Sequence, residues 1–598
     1  MILLSDHVIN NISFLVSHSI FSLSLIISSG NIKTSGNIKI VSIKHETELQ
    51  LATDVLVIGG GPAAAWAAWA AAAQGVSVIA VDKGFLGTSG AAAASGNGIM
   101  APAPEDWNTA LWQRYRAGQT LASLRWIERV IEKTWLSLPM VESWGYRFPK
   151  ENGESVRRSY YGPEYMRVLR KTLLQVGVQI LDQSPALELL LADDGSVAGA
   201  RGVQRQQHRA YTVRAGAVVL ANGGCAFLSK ALGCNTNTGD GLLMAVEAGG
   251  ELSSMEASSH YAISTAFNAT VTRGVPFGWA TYTDEAGNDL GGYINGRRDP
   301  SFLPNALLKG PVYAQLDRAT PEVKAVIEKS HFIAFLPYKK AGIDPYTQRV
   351  PVTMLLEGTV RGTGGIRIVD EHCATKVPGL YAAGDAASRE FLAGLSSGGG
   401  GPNSAWAIST GQWAGEGAAA FAKSLGVHAH ERAVRQAGQT GLRSLSPTST
   451  SFDSDAIVRG VQAEIFPLEK NYFRSEQKLV DSLAKLDALW QQVQGHPKQD
   501  TVRDVEHSRR AAALTAVARW AYFSALHRRE TRSEHIRVDY PETDPNQRYY
   551  LATGGLDQLW VRRDWLSEAI ASPPQRSAGE GSGCCFEQAQ TELVGAST

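Results

Sequence analysis

Asp54-Val55-Leu56-Val57-Ile58-Gly59-Gly60-Gly61-Pro62-Ala63-Ala64 is the stretch from which the fold follows. It reads as a short buried parallel strand, rich in β-branched residues, running into a glycine turn and a helix start. Pro62 suits a first helical position, where a missing N–H costs nothing. The alanine-rich run to Gln74, with Trp66 and Trp69, continues the helix, and Gly75 ends it. Val76 to Val81 is a second strand, closed by Asp82 and Lys83. Each part serves a dinucleotide. Gly59 makes the turn, Gly61 lets backbone approach a pyrophosphate, and Ala64 allows close helix–strand packing. The helix start offers phosphate its free N–H groups and positive dipole end. Asp82, 23 residues after Gly59, is spaced to accept from a ribose.

The 598 residues allow several domains, and 44% hydrophobic with 19% charged residues is ordinary for a globular enzyme. Lys plus Arg equals Asp plus Glu, 57 each, so no global field calls for nucleic acid or an anionic membrane. Cys225, Cys234, Cys373, Cys584 and Cys585 form neither a CxxC pair nor an iron–sulfur spacing. That pattern suits the reduced cytoplasm, and an iron–sulfur cluster is expected only on another chain. No stretch of about 18 apolar residues predicts a membrane span. Ile12 to Ile27 is interrupted by five serines and His18, and lacks the basic start and cleavage site of a signal peptide. Residues 1–49, with Ser-Gly-Asn-Ile-Lys at 29–33 and again at 35–39, are expected to be a disordered extension, and 571–598 a disordered tail.

Further along, Ser89-Gly90-Ala91 opens a small-residue run through Gly96 to Gly98, which lets backbone lie flat against a bulky planar ligand. One helix is expected from Trp107 to about Glu142 and another from Tyr165 to Val176. Val178–Leu191, Val197–Val203 and Ala210–Val213 predict a small antiparallel sheet. Ala217–Leu220 is a separate buried strand ending in Ala221-Asn222-Gly223-Gly224. Asn235 to Gly241, containing Asp240, leads into a helix. Residues 252–348 turn irregular and aromatic, as an inserted domain would. The apolar strand theme resumes at Gly364-Gly365-Ile366 and at Leu380 to Gly384-Asp385. The glycines 398–401 precede Asn403-Ser404 and a helix to Lys423, and Ala456 to about Arg529 is mainly helical.

Six ordered motifs resemble the flavoprotein subunits of fumarate reductase and succinate dehydrogenase, with L-aspartate oxidase and adenylylsulfate reductase as relatives. They are the glycine turn at Gly59, Ser89-Gly90-Ala91, Asn235 to Gly241 with Met255-Glu256, Gly364-Gly365-Ile366, Val377 to Ala386, and Arg529-Glu530-Thr531-Arg532 through Asp539-Tyr540-Pro541. The resemblance implies an α/β chain with three parts: a Rossmann-like FAD-binding domain over 50–251 and 349–430, an inserted α+β capping domain over 252–348, and a mainly helical C-terminal domain over 431–570. It implies an FAD-dependent oxidoreductase. The expected FAD residues are Gly59, Gly61, Pro62, Ala63, Ala64, Asp82, Lys83, Ser89, Gly90, Ala91, Gly96, Ala221, Gly223, Asp240, Gly384, Asp385, Asn403 and Ser404. Asp82 would hold the adenosine ribose, and Asp385 the flavin-side sugar or phosphates. Members with covalent flavin carry a histidine after the serine matching Ser89. Gly90 stands there, so the FAD is expected to be non-covalent.

The substrate side departs from the family. Val360 replaces a histidine before Gly364-Gly365-Ile366, and the glycines 398–401 with Pro402 fill the place of an arginine. His260 stands one residue early, with Tyr261 at the family position. A dianion needs several charge-assisted hydrogen bonds, and the usual donors are gone. Arg361, His260 and Arg298 are the expected catalytic candidates; Arg298 rests on Arg297-Arg298-Asp299 resembling the family's proton-donating segment. A packed, satisfied His260–Tyr261 pair is the competing reading, and Arg389 is expected to be a phosphate or surface contact. The expected function is electron exchange between a small anionic metabolite and a separate partner, a ferredoxin-like iron–sulfur protein. Two readings stand beside it: a true fumarate, succinate or aspartate enzyme with a rebuilt site, and an electron-transfer subunit without a substrate.

Overall fold

The computed structural model describes residues 48–565 except 95, 120, 270–273, 295–296, 300, 398, 427–428 and 446–450. The expected N-terminal extension up to residue 47 and the expected tail lie outside the described residues. Strand β1 (Leu49–Ile58) is central to an eight-stranded sheet. It runs parallel to β2 (Val78–Val81), which pairs with β3 (Gln179–Leu181). Two antiparallel strands, β4 (Ala186–Ala192) and β5 (Val197–Gln204), join it through β6 (Arg209–Leu220), which runs parallel to β1. Later in the chain, β7 (Leu380–Ala382) lies alongside β6, and β8 (Val434–Gln436) extends the sheet beyond β4. Val55 to Ile58 are buried, as a parallel strand covered on both faces requires.

Helix α1 (Pro62–Ala73) packs on α2 (Gly400–Ser424) along a seam where small residues bring the backbones together. A Cβ on Gly411 would lie 2.6 Å from the Ala63 carbonyl, and one on Gly415 2.3 Å from that of Ala67. The alanines of α1 are therefore a packing requirement as well as a helix preference.

Three expected elements change. The strand expected over 178–191 is two, β3 and β4, the first parallel to β2 and the second antiparallel to β5, and both belong to the main sheet and not to a separate small one. The strands at 210–213 and 217–220 are one strand, β6, whose Gly216 admits Ala422 of α2. The helix from Trp107 to Glu142 is two, Trp107–Ala117 and Leu124–Ser143, and Ser123 caps the second by accepting from the Trp126 N–H. The break falls where Gly118 crosses Gly394; a Cβ on Gly394 would sit 2.2 Å from the Gly118 carbonyl.

The inserted unit has its own antiparallel sheet, in the order His260–Thr265, Val350–Gly358, Val312–Gln315, Thr281–Thr283. Phe277, Tyr282, Phe335, Tyr338 and Val352 form a separate core there. The boundary expected at 348 cuts this sheet, because Val350–Gly358 belongs to it. Leu252–Ser253 instead pairs with Gly365–Ile366 and with Tyr549–Gly554. The C-terminal part contains the helices Ser454–Ile465 and Glu476–Val493 and a long helix, α3 (Val502–His527). It is not purely helical, since β8 and the hairpin of Tyr549–Gly554 with Trp560–Trp565 complete sheets begun far earlier. No described helix is long and apolar enough to cross a membrane.

Candidate active site

A cavity of about 510 Å³ opens at the carboxyl ends of β1 and β2, where open α/β sheets bind ligands. Its middle is the glycine turn. Gly59 has φ +137°, and a Cβ there would lie 2.3 Å from the Ala221 carbonyl, so only glycine lets β1 turn beside β6. Gly90 has φ +89°, and its Cβ would meet the Gly61 Cα at 2.8 Å. Gly61, Pro62, Ala63, Gly90 and Ala91 line this part of the cavity with the first turn of α1. The N–H groups of that turn have no intrahelical partner and suit a pyrophosphate. Ala64 does not line the cavity; it is fully buried one position deeper in α1. Gly96 does not line it either. Gly96 pairs with Tyr161 in a short ladder, and strand alternation turns Asn97 to the cavity instead.

To one side lies the end of β2. Asp82 is 6% exposed and accepts a short hydrogen bond from the Ser89 hydroxyl. Burial raises its carboxyl above the usual range, against the opposing pull of Ser89 and Lys83. Lys83 pairs with Asp240 at 2.7 Å and donates to Thr238 at 2.9 Å. Burial works against the Asp240 charge, but Lys83 and Thr238 together hold its carboxyl below the usual range. Beyond them the wall is Ala186, Leu187 and Arg205, with Glu506 and Arg510 from the start of α3. Arg205 grips Glu506 through three hydrogen bonds of 2.6–2.9 Å.

The residues fit an extended polar ligand. Ala221, Gly223, Asn403, Ser404, Gly384 and Asp385 line the cavity. The buried Oδ1 atoms of Asn222 and Asn403, both on the wall, have no hydrogen-bond partner in the protein, and buried polar atoms are seldom left so. Ser404 is engaged, donating to the Gly400 carbonyl at 2.9 Å and accepting from Tyr160 at 3.1 Å. Burial pushes the Tyr160 phenol well above its usual range.

At the far end Arg361 lines the cavity, with Val360, Asp385 and Tyr160. Its Nε lies 3.6 Å from Glu357, which keeps the guanidinium firmly charged. Arg389 is neither a surface nor a phosphate contact. It is 1% exposed, pairs with Asp385 at 2.6 Å, and donates to the carbonyls of Thr359, Val360 and Gly362. Val360 packs among Ala226, Ala231 and Cys234.

His260 lies behind this wall and not on it. Its Nδ1 is 2.6 Å from Glu534 and its Nε2 is 3.8 Å from Glu357. Burial alone would lower its pKa; the two carboxylates raise it. Tyr261 donates to the carbonyls of Ile465 and Phe466 and is packed. The two residues therefore do not form a pair. Arg298 lies on a short hairpin strand, and its side chain is outside the described residues.

The sequence reading missed Asn222, Tyr160, Glu357, Glu534, Arg205, Glu506 and Arg510. Asn222 stands in the turn that ends β6, between Ala221 and Gly223. Glu357 precedes Arg361 by four residues, a spacing that signals contact only once the turn is known. Arg205 and Glu506 are 301 positions apart, with no local signal.

A family model of the FAD binding domain matches residues 54–261, and one of the fumarate reductase flavoprotein C-terminal region matches 468–580. An FAD-dependent oxidoreductase of Methanocaldococcus jannaschii, whose activity is uncharacterized, is 26% identical over 550 residues, covering 86% of this chain and 98% of the relative. The CoM/CoB fumarate reductase of Methanothermobacter marburgensis has a subunit that is 24% identical over 540 residues, covering 82% of this chain and 95% of the relative. A solved quinol fumarate reductase chain of E. coli superposes with a TM-score of 0.73 at 20% identity, covering 86% of this chain and 97% of that one.

Proposed function

We propose that this chain, which belongs to the fumarate reductase/succinate dehydrogenase flavoprotein family and is an FAD-dependent oxidoreductase, oxidises or reduces a small metabolite presenting a single acid group to Arg361. When bound, FAD supplies the electron-pair acceptor and donor of the reaction. The chain's residues divide the remaining work. The glycine turn and the α1 start hold the pyrophosphate, Asp82 the ribose, and Asn222 and Asn403 take hydrogen bonds that the protein leaves unmade. Gly90, with its left-handed backbone and no side chain, supports non-covalent FAD.

The observation that carries the substrate reading is the single cation at the far end. Among the described residues on that wall Arg361 alone is positive, and Arg389 behind it is consumed by Asp385 and three carbonyls. One guanidinium binds one acid group in a fork. A second carboxylate would be buried without a partner, at a cost of about 1–3 kcal/mol or more. We therefore propose that C4 dicarboxylates are poor substrates and that electrons pass to a separate iron–sulfur protein in the cytoplasm. Anaerobic photoreduction followed by mixing tests this: a monoanionic acceptor should reoxidise the flavin, fumarate should not, and Arg361→Gln should abolish the difference. Turnover of fumarate or succinate at tens per second would overturn it.

A further inference from the structure

The start of α3 forms part of the cavity wall, although it lies some 300 residues beyond β5 in the chain. Two ion pairs fasten it there. Glu506 takes the Arg205 fork, and Arg509 pairs with Glu247 while donating to the Leu187 carbonyl at 2.9 Å. Arg510 is the next residue and is left over. It lines the same wall, its Nε is shielded from solvent without an acceptor, and no ion pair reaches it among the described residues. The neighbouring cations are spent: Lys83 on Asp240, Arg205 on Glu506, Arg509 on Glu247. A shielded donor without an acceptor is costly unless a ligand supplies one. The same lining includes Asp82 at the end of β2, the position expected to take a ribose, so the adenosine half of a dinucleotide would lie beside Arg510.

We infer that Arg510 is a cofactor-binding residue contributed by the C-terminal part of the chain, holding the adenosine half of FAD by its planar guanidinium. Lying in the plane of the ring, its Nε–H can donate to an adenine ring nitrogen. The inference rests on FAD being held without a covalent bond.

The test is fluorescence titration of the flavin-stripped protein with FAD and, separately, with FMN, which lacks the adenosine half. Arg510→Gln should weaken FAD about ten-fold, the low end of a charge-assisted hydrogen bond at a half-buried site, and leave FMN unchanged. Arg510→Lys should fall between. A change in FAD affinity below two-fold, or an equal fall for FMN, would overturn the assignment. An unchanged melting midpoint of the stripped variant shows that the fold survives; if Arg510→Gln fails to fold, Arg510→Lys carries the comparison. If acid precipitation leaves the pellet yellow, the non-covalent reading has failed instead. The FAD content of Arg510→Gln purified from cells, measured after proteolysis, then decides, with equal loading against the inference and reduced loading for it.

Discussion

Around the adenosine end of the cavity Lys83 faces Asp240, Arg205 faces Glu506 and Arg509 faces Glu247. At the flavin end the wall is glycine, asparagine and Tyr160, and Arg361 shares one carboxylate, Glu357, with His260. The first end spends its charges on itself, Arg510 excepted. Such pairs add little net affinity, because desolvation offsets attraction, but they fix geometry between segments distant in the chain. The second end turns Arg361 to the cavity on a carboxylate that it shares with His260. Each end leaves one cation to its ligand, Arg510 to the cofactor and Arg361 to the substrate, but only at the first are the neighbouring cations fixed in pairs across the chain.

Closing the gap between Gly61 and Gly90 should give the largest effect. Gly90→Ala places a Cβ 2.8 Å from the Gly61 Cα at a positive φ. We expect FAD affinity to fall by at least about 100-fold, since backbone strain of roughly 3 kcal/mol lands on the phosphate cradle. Equilibrium dialysis measures it, and near-normal binding would mean that the cradle is looser than its geometry. Next, Arg361→Gln should lower kcat/KM by about 10- to 100-fold while leaving FAD affinity alone; a parallel loss of FAD would erase the distinction between the ends. Asp82→Ala should do the reverse, weakening FAD by about ten-fold with substrate KM unchanged, as read by flavin titration and steady-state kinetics. The smallest effect concerns pH. The folded-state pKa of His260 is raised by Glu534 and Glu357 against burial, so its contribution to stability is full below its unfolded value of about 6.5 and is lost as pH rises through the folded value. Urea melts should show stability declining over that window, and His260→Gln should flatten the decline.

The same contrast explains what could be read from the sequence. The adenosine and pyrophosphate parts rest on one contiguous unit, β1, turn, α1 and β2, where every residue type answers a local geometric demand. Asp82 and the glycines of the turn were legible as cavity residues for that reason. The far end is assembled from a strand end at Glu357, a turn at Arg361, a cap strand at His260 and a C-terminal turn at Glu534. None of these carries a periodic pattern, and their meeting is a property of tertiary structure. Arg389 was misjudged on similar grounds: an arginine after a glycine turn reads as exposed until the three carbonyls that it satisfies are seen. The inserted unit was legible as an insertion but not in its limits, because Val350–Gly358 is as apolar as a strand of the main sheet and only its pairing assigns it to the cap.

The hairpin near the C-terminus has a consequence for how the chain is made. Leu252–Ser253 acquires its second partner only when Tyr549–Gly554 arrives, and the Leu187 carbonyl waits for Arg509. At about 5–20 residues per second, a ribosome needs roughly 15–60 s to span that interval. For much of it α1 also lacks α2, and until its end one edge of Leu252–Ser253 stays open. An open edge of this kind invites aggregation until the C-terminal part arrives, so a chain truncated before Tyr549 should accumulate as aggregate.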